Sequence, residues 1–329
     1  TPAVAGTYTL TASYTTADGK KTKAGTVTII IAKSSPILSV SISPTPSSVY
    51  GTSVTITPGL TGAYGSAAPA DYEYYIDDIK YTSDHAYYTF TPHGAKAYSI
   101  YVKYAGNTNN NAATSSTASY TVGKAIPAIT LESSGTGNTY QGSAFTIGSA
   151  ALNGVGGMTA PTGSVTYTYY TDGACASPTT AENSGAALTG GAPVYAGTYY
   201  VKASYPGDTN YNAVSSAAAT LVIDKKELTV TGLKATDRAY DGTASVELTG
   251  GALSGKVDTD DVTAVMPISG TTDKNVGANK AVTFSTITLS GAKAGNYTLK
   301  MPAVTVSIDP ATLNAAITPK DKTYDGGTS

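Results

Sequence analysis

His85 and His93 are the only imidazoles in the chain. An imidazole can shuttle protons near neutral pH or ligate a metal. Asp84 adjoins His85, but neither histidine has a second one at metal-ligand spacing, so solvated loop positions are expected for both. A serine–histidine–aspartate triad would need a nucleophile elbow, and the sequence contains none. The densest acidic run is Asp258-Thr259-Asp260-Asp261, with Asp77-Asp78 second. Calcium takes about six to eight oxygens and no EF-hand loop is present, so a charged turn before a strand at Val262 to Val265 is expected. Cys175 sits between Ala174 and Ala176 without a nearby histidine or cation to stabilise a thiolate. As the single cysteine, it excludes an internal disulfide and a multi-cysteine zinc site.

Tyrosine is the remaining chemical resource, because stacked aromatic faces bind sugars. Tyr101 and Tyr200 are the outward candidates for such a platform, although strand packing accounts for most of the tyrosines. A lysine–asparagine isopeptide cross-link would call for an asparagine on the closing strands, and Ser119 to Val122 and Thr220 to Ile223 have none. No catalytic residue, cofactor ligand or metal ligand is assigned, and the chain is read as a non-enzyme.

Composition narrows the partners. Twenty basic residues against 22 acidic ones give a net charge of −2, and Arg238 is the only arginine. Nucleic-acid binding needs a clustered basic excess, so it is set aside. The apolar run Ile29-Ile30-Ile31-Ala32 falls far short of the ~20 residues of a membrane span. The opening Thr1-Pro2-Ala3-Val4 has no signal-peptide pattern. With 26 tyrosines, 35 glycines and no tryptophan, the chain is biased toward strands and turns.

What positions all these residues is a repeat. Ala97-Tyr98-Ser99-Ile100-Tyr101-Val102-Lys103-Tyr104 returns as Thr198-Tyr199-Tyr200-Val201-Lys202-Ala203-Ser204-Tyr205, with a constant offset of 101 (199 − 98, 205 − 104). A third copy, Tyr8 to Tyr14, keeps the same step between tyrosines and leads to Ile29-Ile30-Ile31-Ala32-Lys33. In each copy alternate residues are apolar, the mark of a strand with one buried face. Tyr8, Leu10, Ala12 and Tyr14 are accordingly expected to face a core, as are Tyr98, Ile100, Val102 and Tyr104, and Tyr199, Val201, Ala203 and Tyr205. Gly106-Asn107-Thr108-Asn109 and Gly207-Asp208-Thr209-Asn210 supply turn chemistry. Tyr50-Gly51 corresponds to Tyr140-Gln141-Gly142, and length changes between anchors place a loop at Thr171 to Gly191.

After Lys226 the pattern changes. Leu228 is followed by Tyr240-Asp241-Gly242-Thr243, and Leu313 by Tyr324-Asp325-Gly326 at almost the same spacing. The chain is therefore divided into residues 1–33, the later part of one repeat; 34–124 and 125–225, two whole repeats; 226–310, a different sandwich; and 311–329, the start of another of that kind. Junctions such as Lys33-Ser34-Ser35-Pro36 and Lys124-Ala125-Ile126-Pro127 are short, which favours a semi-rigid succession over flexible linkage.

Tyr205-Pro206-Gly207-Asp208-Thr209-Asn210-Tyr211-Asn212 and Gly163 to Asp172 resemble the Ig-like repeats of long bacterial surface proteins. Residues 226–329 resemble YDG-type adhesin repeats, on Tyr240-Asp241-Gly242, Asn275-Val276-Gly277 and Ala294-Gly295-Asn296-Tyr297. The resemblance implies an all-β fold of tandem immunoglobulin-like β-sandwich domains in an elongated array, on a bacterial cell surface or cell wall. It implies a stalk or spacer whose partners are neighbouring repeats. The alternatives are a module binding glycans or host surface proteins, and a subunit of a strand-exchanging filament that self-associates head to tail.

Overall fold

The computed structural model describes residues 3–20, 22–180, 190–324 and 326, and it is all-β apart from two short 3-10 turns. The chain forms two compact units, each described by itself: residues 1–132, 149–167 and 202–217, and residues 133–148, 168–201 and 218–329.

The first unit opens with an antiparallel hairpin, Gly6–Thr15 with Thr22–Ile31, in continuous register from Gly6 opposite Ile31. Here the inward expectation fails. Leu10 and Tyr14 are 60% and 68% exposed, because among the described residues no second sheet covers the hairpin's apolar face. Alternation selects a face but cannot bury it without a partner layer.

A full sandwich follows. One sheet is antiparallel and made of Ile37–Ser43, Val54–Thr61 and Tyr88–Phe90. The other has the order Ser47–Val49, Ala118–Gly123, Ala97–Tyr104, Tyr72–Ile76, Ile79–Tyr81. Between them lie Val54, Ile56, Tyr74, Ile100 and Val102, all fully buried. Along Ala97–Tyr104, Tyr98, Ile100, Val102 and Tyr104 are buried and their neighbours are not, as the alternation predicts. Burying each large aliphatic side chain contributes roughly 1.5–3 kcal/mol. Ser115 caps this layer: its hydroxyl accepts from Val102 N at 3.0 Å, and Ser216 accepts likewise from Ala203 N at 3.0 Å. These pairs stand 101 apart, so the Ser-rich segments carry a specific buried bond.

The first unit also holds the pair Ala128–Thr130 with Ala151–Asn153, and Val214–Ser215 against Ser204 and Tyr205. In the second unit, Ser134–Thr139 runs parallel to Ala219–Asp224, which pairs antiparallel with Gly197 to Val201. A further sandwich follows, on Lys226–Thr231 with parallel Tyr297–Lys300 and antiparallel Ala252–Ser254. Its other sheets join Lys234–Ala235, Ser245–Thr249 and Ser269–Thr271; Arg238–Ala239, Thr305–Asp309 and Gly277–Ala281; and Thr263–Ala264 with Leu289–Ser290. Val246, Leu248, Val304 and Val306 lie at the centre of its core. The strand expected at Val262 to Val265 shortens to Thr263–Ala264. Beyond Pro310 the described residues form no strand, and Leu313, Ile317 and Tyr324 are almost fully exposed.

Candidate functional site: a junction built repeatedly

The turns expected at Asn107 and Asp208 are formed by side-chain caps. Asn107 Oδ1 accepts from Asn109 N and Asn110 N at 2.9 Å, and Asp208 Oδ1 accepts from Asn210 N and Tyr211 N at 2.8 Å. Asx caps of this kind order a tight turn without a regular ladder. A 3-10 turn, Ala294–Asn296, occupies the corresponding place in the last sandwich. Each turn presents an asparagine that reaches back to an earlier part of the chain. Asn109 Oδ1 accepts from Ala5 N at 2.8 Å, Asn210 Oδ1 from Ala95 N at 3.0 Å, and Asn296 Oδ1 from Ala196 N at 3.0 Å. The three alanines are equivalent in the repeat. Each is followed three residues later by a tyrosine, Tyr8, Tyr98 or Tyr199, whose hydroxyl donates to the carbonyl four residues upstream.

The connecting residues join the same assembly. Ser34 bridges Asn110, Ala125 bridges Tyr211 and Lys226 pairs with Tyr297, in each case parallel. The short junction is thus hydrogen-bonded to the turn instead of hanging free.

Aromatic residues close the two later junctions in the same geometry. Tyr50 meets Tyr211 edge-on with centroids 5.4 Å apart and planes at 85°, and Tyr140 meets Tyr297 at 5.4 Å and 82°. Backbone bonds fix the first ring of each pair: Tyr50 N donates to Gly123 O at 2.8 Å, and Tyr140 N to Asp224 O at 2.9 Å. The second ring's hydroxyl accepts a backbone amide, Val155 N for Tyr211 and Val257 N for Tyr297, each at 3.0 Å. Those valines cover a glycine. Gly51 has φ +86 and a Cβ there would come 2.6 Å from Val155 Cγ1; Gly142 has φ +78 and a Cβ would come 3.0 Å from Val257 Cγ1. Glycine is required twice over, by the left-handed backbone and by the close approach.

The junctions differ at one position. In the turn after Val155, Met158 N donates to Val155 O, and the Tyr50 hydroxyl is buried without a hydrogen bond. In the turn after Val257, Asp260 N donates to Val257 O in the same way. Asp260 is buried, and its Oδ2 accepts from Tyr140 at 2.9 Å and Tyr297 at 2.5 Å. Burial first, and then the bond to Asp260, raise the Tyr297 phenol to about 12 and push Tyr140 up as well. The acidic run is therefore not only a charged turn: Asp260 is an internal acceptor, and Asp261 Oδ2 accepts from Ala292 N at 3.1 Å. Beside this junction Lys293 lies over the Tyr195 ring, 4.0 Å from its centroid, and hydrogen-bonds its hydroxyl.

Of the remaining candidates, His93 and Asp77 share one cleft. His85 stacks on Tyr87 at 5.3 Å, while His93 and Asp77 line a cleft of about 720 Å³ together with Tyr81, Tyr88 and Phe90. Asp77 pairs with Lys96 at 2.7 Å and accepts from Ser99 N, and the lysine hydrogen bond holds its carboxyl below the usual range. Tyr101 stacks flat on Tyr75 at 4.7 Å, with Lys103 Nζ 4.7 Å from the Tyr75 centroid, so one of its faces is already covered. Tyr200 lies against Gly173, where an added Cβ would stand 3.4 Å from its ring. Cys175 has φ +55 in a turn capped by Asp172, which accepts from Ala176 N and Ser177 N. Of the expected loop Thr171 to Gly191, residues 181–189 lie outside the described residues. Among the described residues no group of three or more His, Cys, Asp or Glu side chains could hold a metal, and no helix is long and apolar enough to cross a membrane.

Residues 224–306 match the model of the YDG domain. No curated protein is significantly similar to this chain. Among solved structures, Drosophila N-cadherin EC1-4 aligns at 13% identity and TM-score 0.25, over 93% of this chain and 83% of that one. Fibronectin(III)-like modules of Clostridium thermocellum CbhA align at 12% and 0.21, over 56% and 92%. The Bacteroides ovatus protein SGBP-B, solved with a mixed-linkage heptasaccharide, aligns at 11% and 0.20, over 80% and 65%.

Proposed function

We propose that this chain is a stiff spacer segment of an extracellular, adhesin-like surface protein, and that its function resides in the junctions. One observation carries the reading: contacts recur where one repeat follows another. An asparagine on a backbone amide and a bridged connector occur at three junctions, and an edge-on tyrosine pair with a valine over glycine at two of them. A chain that only had to link binding modules would have no need to rebuild such a junction with its register intact. The YDG match over residues 224–306 supports the surface-protein setting. The alternative, a glycan platform on Tyr101 or Tyr200, has less to recommend it, because Tyr101 is stacked on Tyr75.

Calorimetry of the full chain tests the proposal. Unfolding of neighbouring sandwiches should be coupled, and Asn210→Ala combined with Tyr211→Ala should separate a transition from the rest. Independent transitions in the unaltered chain would overturn a stiff spacer. So would glycan binding that is lost with Tyr101→Ala or Tyr200→Ala, because it would move the function to a binding face.

A further inference from the structure

The last sandwich carries the receiving half of a further such junction, and it is exposed. Tyr240 N donates to Asp309 O at 2.8 Å, which places Tyr240 where Tyr50 and Tyr140 stand in the earlier repeats. Yet Tyr50 and Tyr140 are 1% and 2% exposed, whereas Tyr240 is 40% exposed. Gly242 repeats the left-handed backbone of Gly51 and Gly142 with φ +79, but nothing lies within 4 Å of where its Cβ would be. That is the space Val155 and Val257 fill elsewhere. The amide equivalent to Ala95 and Ala196 belongs to Val276. Gly277 pairs with Ile308 as Gly197 pairs with Ile223, so the residue before each glycine is the same position. Val276 is 49% exposed.

We infer that the face formed by Tyr240, Gly242 and the Val276 amide is a docking surface for one kind of partner: a further β-sandwich repeat that presents an Asn–Tyr pair. The asparagine accepts from Val276 N, the tyrosine ring meets Tyr240 edge-on, and a valine beside it fills the space over Gly242. The chain itself points to the source of that repeat. Leu313 precedes Tyr324-Asp325-Gly326 much as Leu228 precedes Tyr240-Asp241-Gly242. In the folded sandwich Leu228 lies opposite Leu299 of a later strand and is fully buried, whereas Leu313 and Ile317 are 92% and 89% exposed. Residues 313–324 thus have the pattern of a first strand without the strand that would cover it. A second copy of this chain is a poorer occupant, because its Asn210–Tyr211 and Asn296–Tyr297 pairs are already engaged.

The inference rests on the junction geometry and not on the spacer role, so the two fail separately. The test is the chain with residues 310–329 replaced by a second copy of residues 225–309, which reproduces the native connector spacing. Hydrogen exchange at the Val276 amide should slow by at least about tenfold relative to the unextended chain. Nitration of Tyr240, followed by peptide mapping, should fall with it. Asn→Ala at the added copy's equivalent of Asn296 should restore fast exchange at Val276 while the added copy's own core amides stay protected. Unchanged exchange at Val276 beside a folded added copy overturns the inference, as does slow exchange that survives the Asn→Ala change. If the added copy does not fold, residues 124–224 are appended instead and read in the same way, since their Asn210–Tyr211 already completes a junction. Protection that appears in the unextended chain only at high concentration would assign the face to a second copy and also overturn it.

Discussion

Asp260 offers the sharpest single perturbation. Its Oδ2 takes two phenolic hydroxyls, from Tyr140 and Tyr297, in a buried setting. A hydrogen bond to a charged group contributes about 1.5–3 kcal/mol, so two amount to roughly 3–6 kcal/mol gross. Returning the carboxylate to water in the unfolded reference offsets part of that, since burying a charge is itself costly. Asp260→Ala should therefore destabilise the junction by about 2–4 kcal/mol, leaving two donors stranded and a void. Asp260→Met should cost less, because the first junction places Met158 at this point of the turn and tolerates a buried, unpaired Tyr50 hydroxyl. Adding Tyr140→Phe removes one of the two stranded donors, so the pair of changes should be less harmful than their sum by about 1–2 kcal/mol. A multi-sandwich chain does not unfold in one step, so a single melting temperature is the wrong readout. Hydrogen exchange at the Val257 amide, which donates to Tyr297, reports the junction directly. Additivity of Asp260→Met and Tyr140→Phe within about 0.3–0.5 kcal/mol would refute the shared-acceptor argument.

Three further outcomes follow from the same geometry. Gly51→Ala should cost about 2–4 kcal/mol in urea unfolding, from a left-handed alanine plus a clash with Val155, whereas Gly242→Ala should cost only the ~1–2 kcal/mol backbone part; equal costs would contradict the packing account. Desolvation works to raise the Asp208 carboxyl, but bonds from the Thr162, Asn210 and Tyr211 amides outweigh it and hold the group well below the usual range. A depressed carboxyl stabilises the fold above its unfolded value near 4 and loses that contribution as pH falls, so Asp208→Asn, which keeps the Oδ1 cap but sets an NH2 donor against the Thr162 amide, should lower neutral stability and flatten the acid limb of a stability–pH curve. The Tyr297 phenol, raised from 10.0 to about 12, contributes fully below pH 10 and loses its contribution as pH climbs toward 12. Tyr297→Phe should therefore lower stability at pH 7 and make alkaline unfolding less steep.

Much of the fold was legible because the signals were periodic. The offset of 101 and the alternation through Tyr98 to Tyr104 placed strands and faces, and Gly106 and Gly207 marked the turns between them. Asn109, Asn210 and Asn296 escaped notice because their partners are backbone amides, which every residue possesses and no side-chain pattern reveals. Asp260 was hidden by its neighbours: a run of acids reads as solvated, and its two tyrosines lie 120 and 37 residues away. In the last sandwich, the register shift between Gly277 and Lys280 breaks the alternation, so its kinship with the earlier strands shows only once the pairing is known. The opening hairpin taught the converse lesson, since Leu10 and Tyr14 have the right period and still lie exposed.

The parallel pairings have a mechanical consequence. Ser47–Val49 runs beside Ala118–Gly123, Ser134–Thr139 beside Ala219–Asp224, and Lys226–Thr231 beside Tyr297–Lys300. In each pair an early strand lies parallel to a late one. Tension between the ends of such a sandwich pulls the two strands past each other along their length. The ladder bonds are then loaded together, in shear, instead of peeling one at a time from an antiparallel end.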